Sequence, residues 1–176
     1  MPTTAATKRL SDEEALQLFE SAELPELSAA AHAARKRLNP TNTVTYIIDR
    51  NVNYTNICLA DCSFCAFFRK IDDPESYVLS KDQLAQKIIE TQQLGGNQLL
   101  LQGGMHPKFK LEWYEDMLSW MRAEFGIHLH AFSAPEIHAF AKINKMSHEE
   151  VLGRLKAAGL ASLPGGGGEI LVDRVR

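Results

Sequence analysis

The sequence has few cysteines, no long hydrophobic run and no excess of basic residues. Its 176 residues contain 19 Lys and Arg against 22 Asp and Glu, so the charge gives no reason to expect nucleic acid. The apolar stretches are far shorter than the roughly 18 residues that a membrane-spanning helix needs. The N-terminus MPTTAATKRLSDEEA lacks the apolar core of a secretion signal. We therefore expect a cytoplasmic protein that binds neither nucleic acid nor membrane.

The remaining composition, 45% hydrophobic and 23% charged, is typical of a globular protein of one domain. The sequence predicts a helical segment at residues 1–40, which Pro25 divides into two short helices. Beyond it, predicted strands alternate with predicted helices, and this order favours a parallel sheet of βαβ units. The strands are predicted at 43–56, 97–102, 127–133 and 160–164. Helices are predicted at 80–94, 111–125, from Pro135, at 147–158 and from 169 onward.

All three cysteines lie within residues 55–69, TNICLADCSFCAFFR. Cys58, Cys62 and Cys65 have the spacing Cys-x3-Cys-x2-Cys in the loop after the first strand. Clustered thiols in a reducing compartment indicate metal binding more often than disulfides. Three interpretations remain open: free cysteines on one helical face, a structural zinc site completed by a distant histidine, or an iron–sulfur cluster. In the last, three thiolates leave one iron open to an outside ligand, as catalytic metal sites do.

The cysteine motif resembles the signature of the radical S-adenosylmethionine superfamily, in which an aromatic residue, here Phe64, precedes the last cysteine. The resemblance implies that Cys58, Cys62 and Cys65 hold a 4Fe-4S cluster whose open iron binds S-adenosylmethionine. Reductive cleavage of that cofactor then gives a 5′-deoxyadenosyl radical, which takes hydrogen from the substrate. The implied fold is α/β: the N-terminal half of a TIM-type (β/α) barrel at 41–176, preceded by the helical segment 1–40.

Longer segments resemble one family within this superfamily, the cyclic dehypoxanthinyl futalosine synthases of menaquinone biosynthesis. They are VTYIIDRNVNYTNIC, CAFFR, LQGGMHP, WYEDML, HLHAFSAPEI and PGGGGEILVDRVR. The resemblance implies radical cyclisation of dehypoxanthine futalosine, with a low-potential flavodoxin or ferredoxin as electron donor. Aminofutalosine synthases and the tyrosine-using synthase of the deazaflavin cofactor are related alternatives. A non-catalytic iron–sulfur or zinc-binding module is an alternative of another class.

The same resemblance predicts a truncated chain, since a full (β/α) barrel has about 250 residues. The sequence ends as the fourth helix is predicted to begin. Expressed alone, it would expose the edge of its fourth strand, and we expect it to aggregate or to bind its cluster poorly.

Residues just after the predicted strands are the candidates for cofactor binding, because ligands of parallel α/β folds bind at the carboxyl ends of strands. The resemblance implies that Gly103 and Gly104 offer backbone groups to the cofactor; a strand-ending turn is the alternative. In the family an acid often follows, but this chain has Met105. Ser133 and Glu136 are assigned to the cofactor as well, although an acid there also favours the start of a helix.

Candidates for substrate contact are Asn53, His106 and Glu169. Asp49, Asn51 and Asn53 alternate along the first strand and so share one face, and Asn53 is the one of them nearest the cysteines. His106 lies in the GGMHP loop, and Glu169 follows the glycine run 165–168. His128 and His130 share one face of the third strand, and we interpret them as structural polar groups rather than as ligands.

Overall fold

The computed structural model describes residues 9–165, 170 and 172–175. The chain divides into two units, Met1–Thr45 and Tyr46–Arg176. Within the described residues, no helix combines the length and the apolar character that crossing a membrane requires.

The first unit contains two helices, α1 (Asp12–Ser21) and α2 (Leu24–Leu38). Ser11 caps α1 through a reciprocal pair of hydrogen bonds with Glu14. Pro25 lies in the first turn of α2, where its missing N–H is not needed. The predicted division into two helices at this point is confirmed.

The second unit is built on a three-stranded parallel sheet with the order β1-β2-β3. Its strands are β1 (Asp49–Asn53), β2 (Gln98–Gln102) and β3 (His128–Ala131). Its helices are α3 (Lys81–Gln93), α4 (Leu111–Phe125), α5 (Ala134–Asn144) and α6 (His148–Ala157). Strand and helix alternate through most of this unit, so the expected α/β architecture with a parallel sheet is confirmed.

Three predicted elements differ from the structure. The first strand begins only at Asp49, where pairing with Gln98 of β2 begins, so the β-branched residues before it are not in the sheet. Residues 160–164 form a single parallel bridge, His130 with Ser162, instead of a fourth strand. The proline at the end of this segment has no N–H for a further ladder bond. Residues 172–175 form a turn rather than part of a helix, and the rest of that predicted helix, apart from Ile170, lies outside the described residues.

The two faces of the sheet differ in chemistry, because successive side chains of a strand alternate between faces. One face packs against the helices and contributes Val52, Leu99, Leu101, Leu129 and Ala131 to the buried core. In the strand register, the opposite face contains mostly polar residues. We call this the polar face: Asp49, Asn51, Asn53, Gln98, Leu100, Gln102, His128 and His130.

Candidate functional site

A cavity of about 330 Å³ lies at the carboxyl ends of the three strands, beside the cysteine loop. It brings together most of the residues that the sequence singled out. From that set its wall contains Asn53, Cys58, Phe64, Cys65, Gly103, Gly104, Ser133 and Glu136. Thr55, Asn56, Phe67, Gln102 and Pro135 complete the wall.

The cysteine loop is anchored at both ends by hydrogen bonds of Asn56 and Arg69. The N–H of Arg69 donates to the carbonyl of Asn56 at 3.0 Å, and the N–H of Cys58 donates to the carbonyl of Arg69 at 3.2 Å. The buried Asn56 amide bonds the backbone of Glu75 and Tyr77 at 2.9 and 2.8 Å. The Arg69 guanidinium donates to the Glu75 carboxylate at 2.8 and 2.6 Å. These bonds within the chain fix both ends of the loop.

The three thiols are free and accessible to different degrees. Cys62 and Cys65 are exposed and joined by a backbone turn, in which the Cys65 N–H donates to the Cys62 carbonyl at 3.0 Å. Cys58 is half-buried, and its sulfur accepts a hydrogen bond from the Met105 N–H at 3.4 Å. Phe64, which lies between Cys62 and Cys65 in the sequence, is 89% exposed.

These three cysteines are not arranged around a single metal ion. Among the described residues, no three His, Cys, Asp or Glu side chains converge on such a position. An iron–sulfur cubane makes a different demand, since each thiolate binds its own iron atom and the sulfurs need not meet at one point. Three soft thiolates on one loop, two of them exposed, therefore fit a cluster in donor type and accessibility.

Gly103 and Gly104 are required by close packing. A Cβ on Gly104 would overlap the carbonyl group of Ile57 and lie 3.1 Å from the Cβ of Cys58. A Cβ on Gly103 would lie 2.5 Å from the ring of Tyr54. Both N–H groups also donate hydrogen bonds within the chain. The Gly103 N–H donates to the Glu136 carboxylate at 3.2 Å, and the Gly104 N–H donates to the Thr55 carbonyl at 2.8 Å. Their carbonyl oxygens accept no hydrogen bond from the residues that the structure describes, so these are the groups left for a ligand.

Glu136 is the centre of a buried network in the cavity wall. Its Oε1 accepts from the Tyr54 hydroxyl at 2.8 Å and from the Gly103 N–H, and its Oε2 accepts from the Ser133 hydroxyl at 2.8 Å. The side chain is only 2% exposed. Burial raises the pKa of Glu136, although the three hydrogen bonds act in the opposite direction. Burial and the neighbouring carboxylate also raise the pKa of Tyr54 well above its usual range.

Tyr54 and the turn after β3 are functional features that the sequence did not reveal. Tyr54 belongs to an apolar pattern and carries no local sign of a partner 82 residues away. After β3, Phe132 is fully buried with a φ of 66°, a left-handed conformation that is rare outside glycine. This turn leads directly into Ser133, whose hydroxyl bonds Glu136 instead of capping α5.

Two of the predicted site residues that the structure describes, Cys62 and His106, do not line the cavity. Cys62 lies on the same loop but outside the cavity wall. His106 is 5% exposed, stacks on Phe109 with ring centroids 3.7 Å apart, and accepts from the Lys108 N–H at 3.2 Å. Burial lowers the pKa of His106, and the charge of Lys108 lowers it further. These are the contacts of a packed side chain, and the substrate contact predicted for His106 stays a prediction. Glu169 lies outside the described residues.

Among curated relatives, the chain is 43% identical over 170 residues to a cyclic dehypoxanthine futalosine synthase of Halalkalibacterium halodurans. The match covers 96% of this chain and 46% of that protein. It is also 42% identical over 165 residues to a 5-amino-6-(D-ribitylamino)uracil–L-tyrosine 4-hydroxyphenyl transferase of Methanococcoides burtonii, covering 93% and 45%. The chain thus spans less than half the length of these relatives.

The fold has a counterpart among solved structures. The crystal structure of methylornithine synthase superposes with a TM-score of 0.61 at 13% identity, over 87% of this chain and 54% of that one. This likeness concerns the fold alone. The family model of the Radical SAM superfamily matches residues 52–174, from β1 through the cysteine loop and the cavity wall to the end of α6 and beyond. The fold, the cysteine loop and this match together show that the chain belongs to the Radical SAM superfamily.

Proposed function

We propose that the full-length protein cyclises dehypoxanthine futalosine in menaquinone biosynthesis. The observation that carries this proposal is the shared cavity, where two of the motif cysteines meet the glycines after β2 and the Ser133–Glu136 pair after β3. The similarity to the Halalkalibacterium synthase over nearly the whole chain supports the choice of reaction. Superfamily members act on small molecules with the help of a reductant, and we infer a flavodoxin or ferredoxin for this role.

The residues divide into those that hold a cofactor and those that shape its surroundings. Cys58, Cys62 and Cys65 would hold a 4Fe-4S cluster. When bound, cluster and S-adenosylmethionine supply the radical that removes a hydrogen atom from the substrate. The Gly103 and Gly104 carbonyls are suited to accept hydrogen bonds from the amino group of S-adenosylmethionine.

The remaining wall residues orient the ligands and exclude water. We assign Glu136 and Ser133 to the cofactor side of the cavity, where Glu136 acts through the Gly103 N–H that it fixes. Asn53 lies on the polar face at the cavity and is proposed to contact the substrate. Phe64 and Phe67 contribute exposed apolar surface that a bound ligand would cover. Three free thiols are compatible with a reducing cytoplasm, which we propose as the location.

Parallel anaerobic reactions with two different substrates test the proposed cyclisation. The full-length protein is reconstituted with iron and sulfide and incubated with reductant, S-adenosylmethionine and dehypoxanthine futalosine. We expect the cyclised product together with 5′-deoxyadenosine. A parallel reaction receives L-tyrosine and 5-amino-6-(D-ribitylamino)uracil, the pair named for the Methanococcoides relative. Product from this pair alone would replace the proposed reaction by the transferase reaction.

Cysteine variants separate the enzyme from a non-catalytic module. We expect C58S, C62S and C65S each to lose bound iron and deoxyadenosine formation together. A wild-type cluster whose spectrum does not respond to S-adenosylmethionine would identify an electron carrier. Tight zinc binding without a cluster would identify a structural zinc module.

A further inference from the structure

Two histidines of β3 share one serine hydroxyl on the polar face. The Nδ1 of His130 lies 2.7 Å from the Oγ of Ser162, and the Nε2 of His128 lies 3.0 Å from the same oxygen. The backbone fixes this serine, because the Ala131 N–H donates to its carbonyl at 2.9 Å and its own N–H donates to the Leu129 carbonyl at 3.3 Å. His130 is half-buried and His128 is exposed.

The shared hydroxyl connects the two rings in a defined order. A serine hydroxyl carries one proton, so it donates to one ring nitrogen and accepts from the other. When it donates to His128, the Nδ1 of His130 carries a proton and its Nε2 is a free base. When the direction is reversed, the free base passes to His128. The three groups therefore form a chain in which a proton entering at His130 leaves at His128.

The strand register places this chain below the cavity. His130 lies in register with Leu100 and Asn51 on the polar face. The next layer of that face toward the carboxyl ends is Gln102 with Asn53, and both line the cavity. Two residues along a strand span about 6.6 Å, so His130 is one side-chain layer from the cavity wall. His128 is a further layer away and reaches solvent.

We propose that His130, Ser162 and His128 form a proton relay from the substrate to solvent. The inference rests on the proposed cyclisation, in which the aromatic ring loses a C–H proton after the new carbon–carbon bond has formed. That proton passes through one bridging water to the Nε2 of His130, which lies one layer below the cavity wall, and the Nδ1 proton of His130 passes to Ser162. The Ser162 proton then passes to the Nε2 of His128, whose Nδ1 proton leaves to water. Loss of this proton leaves one surplus electron on the ring. Transfer of that electron to an acceptor of the iron–sulfur class restores aromaticity.

Asp49 is the one other titratable residue of the polar face as the described strands define it. It lies in the layer of His128, two strand spacings or about 10 Å away across Gln98, whose amide donates to it at 3.3 Å. No titratable side chain of these strands lies in the layer of His130 other than His130 itself.

The ratio of cyclised product to 5′-deoxyadenosine tests the relay in the full-length holoenzyme. We expect H130Q to lower this ratio by about 10²-fold, the usual contribution of a general base. S162A should lower it as well, and S162T, which keeps the hydroxyl, should restore it. H138Q alters another histidine pair, His138 with His148, and should leave the ratio unchanged. A wild-type ratio in both H130Q and S162A would overturn the relay and leave the proposed function standing.

Histidine ¹⁵N NMR gives an independent readout without substrate. Because Ser162 bonds the Nδ1 of His130 and the Nε2 of His128, the two neutral rings have the same tautomer, both Nδ1–H or both Nε2–H. Their ring signals should therefore report matching tautomers in the wild type and independent ones in S162A. Different tautomers in the wild type would overturn the relay. Deoxyadenosine without cyclised product in the wild type would instead overturn the proposed function, and the NMR result would still decide the relay.

Discussion

Gly104 packs directly against the carbonyl group of Ile57, the residue that precedes the first cysteine. Its N–H donates to the Thr55 carbonyl at 2.8 Å, so the end of β2 and the entry to the cysteine loop hold each other in place. The glycines after β2 thus determine where the thiols lie, in addition to any contact with a ligand.

Gly104→Ala should therefore weaken the cysteine loop. The new methyl group would meet rigid backbone, and forced overpacking costs about 1–3 kcal/mol. We expect a lower urea midpoint and less iron bound after reconstitution. Gly153→Ala is the matched control, because Gly153 lies within α6 with nothing within 4 Å of an added Cβ. It should raise stability by about 0.5–1 kcal/mol, and equal losses in both variants would contradict this packing argument.

Tyr54→Phe should destabilise the protein although it removes a single oxygen. The change leaves the buried Glu136 carboxylate without one of its donors, at a cost of about 1–3 kcal/mol. Tyr114→Phe is its counterpart. The buried Tyr114 hydroxyl makes no hydrogen bond of normal geometry within the described part of the chain. Its removal should be neutral or slightly stabilising in denaturant unfolding, and a loss as large as that of Tyr54→Phe would contradict the assignment.

Glu136 should make the protein less stable as pH rises. Because burial raises its pKa in the folded state, the folded chain binds this proton more tightly than the unfolded chain does. Its contribution is fully present below the ordinary value of 4.5 and is lost as pH rises through the raised pKa. Urea unfolding of Glu136→Gln between pH 4 and 8 should lack this loss. An unchanged pH slope in the variant would show that other groups cause it.

His106 should make the protein less stable as pH falls. Its pKa is lowered by burial, so the unfolded chain binds the proton more readily. Stability should therefore be full above the ordinary value of 6.5 and fall as pH decreases through the lowered pKa. His106→Asn keeps an acceptor for the Lys108 N–H but cannot titrate. We expect it to be less stable at pH 8, since the stack on Phe109 is lost, and to show a flatter acid slope in the same unfolding experiment.

Local chemistry made much of the fold predictable. Helix α4 has the predicted bounds 111–125, and the predicted starts of α3 and α6 coincide with capping boxes at Ser80 and Ser147. These features depend on residues within one helical turn, which the sequence shows directly. The cysteine motif and the polar positions after the strands led to most of the cavity wall in the same way.

Long-range pairing accounts for what was missed. The start of β1 is set by its partner strand, and the isolated bridge at Ser162 depends on His130, 32 residues earlier. Tyr54 and Glu136 meet only because the parallel sheet places the carboxyl ends of β1 and β3 at the same end of the strands. Patterns of neighbouring residues carry no information about such encounters, so the buried network and the shared serine emerged only from the structure.

The hydrogen bond from the Met105 N–H to the sulfur of Cys58 separates the role of this position from the identity of its side chain. It withdraws electron density from the sulfur whatever residue occupies position 105, provided that the residue has an N–H. An acid and a methionine at this position would therefore make the same contact. Proline is the one natural residue that would abolish this hydrogen bond, because it has no N–H. When such chains are compared, the absence of proline at position 105 is therefore the constraint to seek.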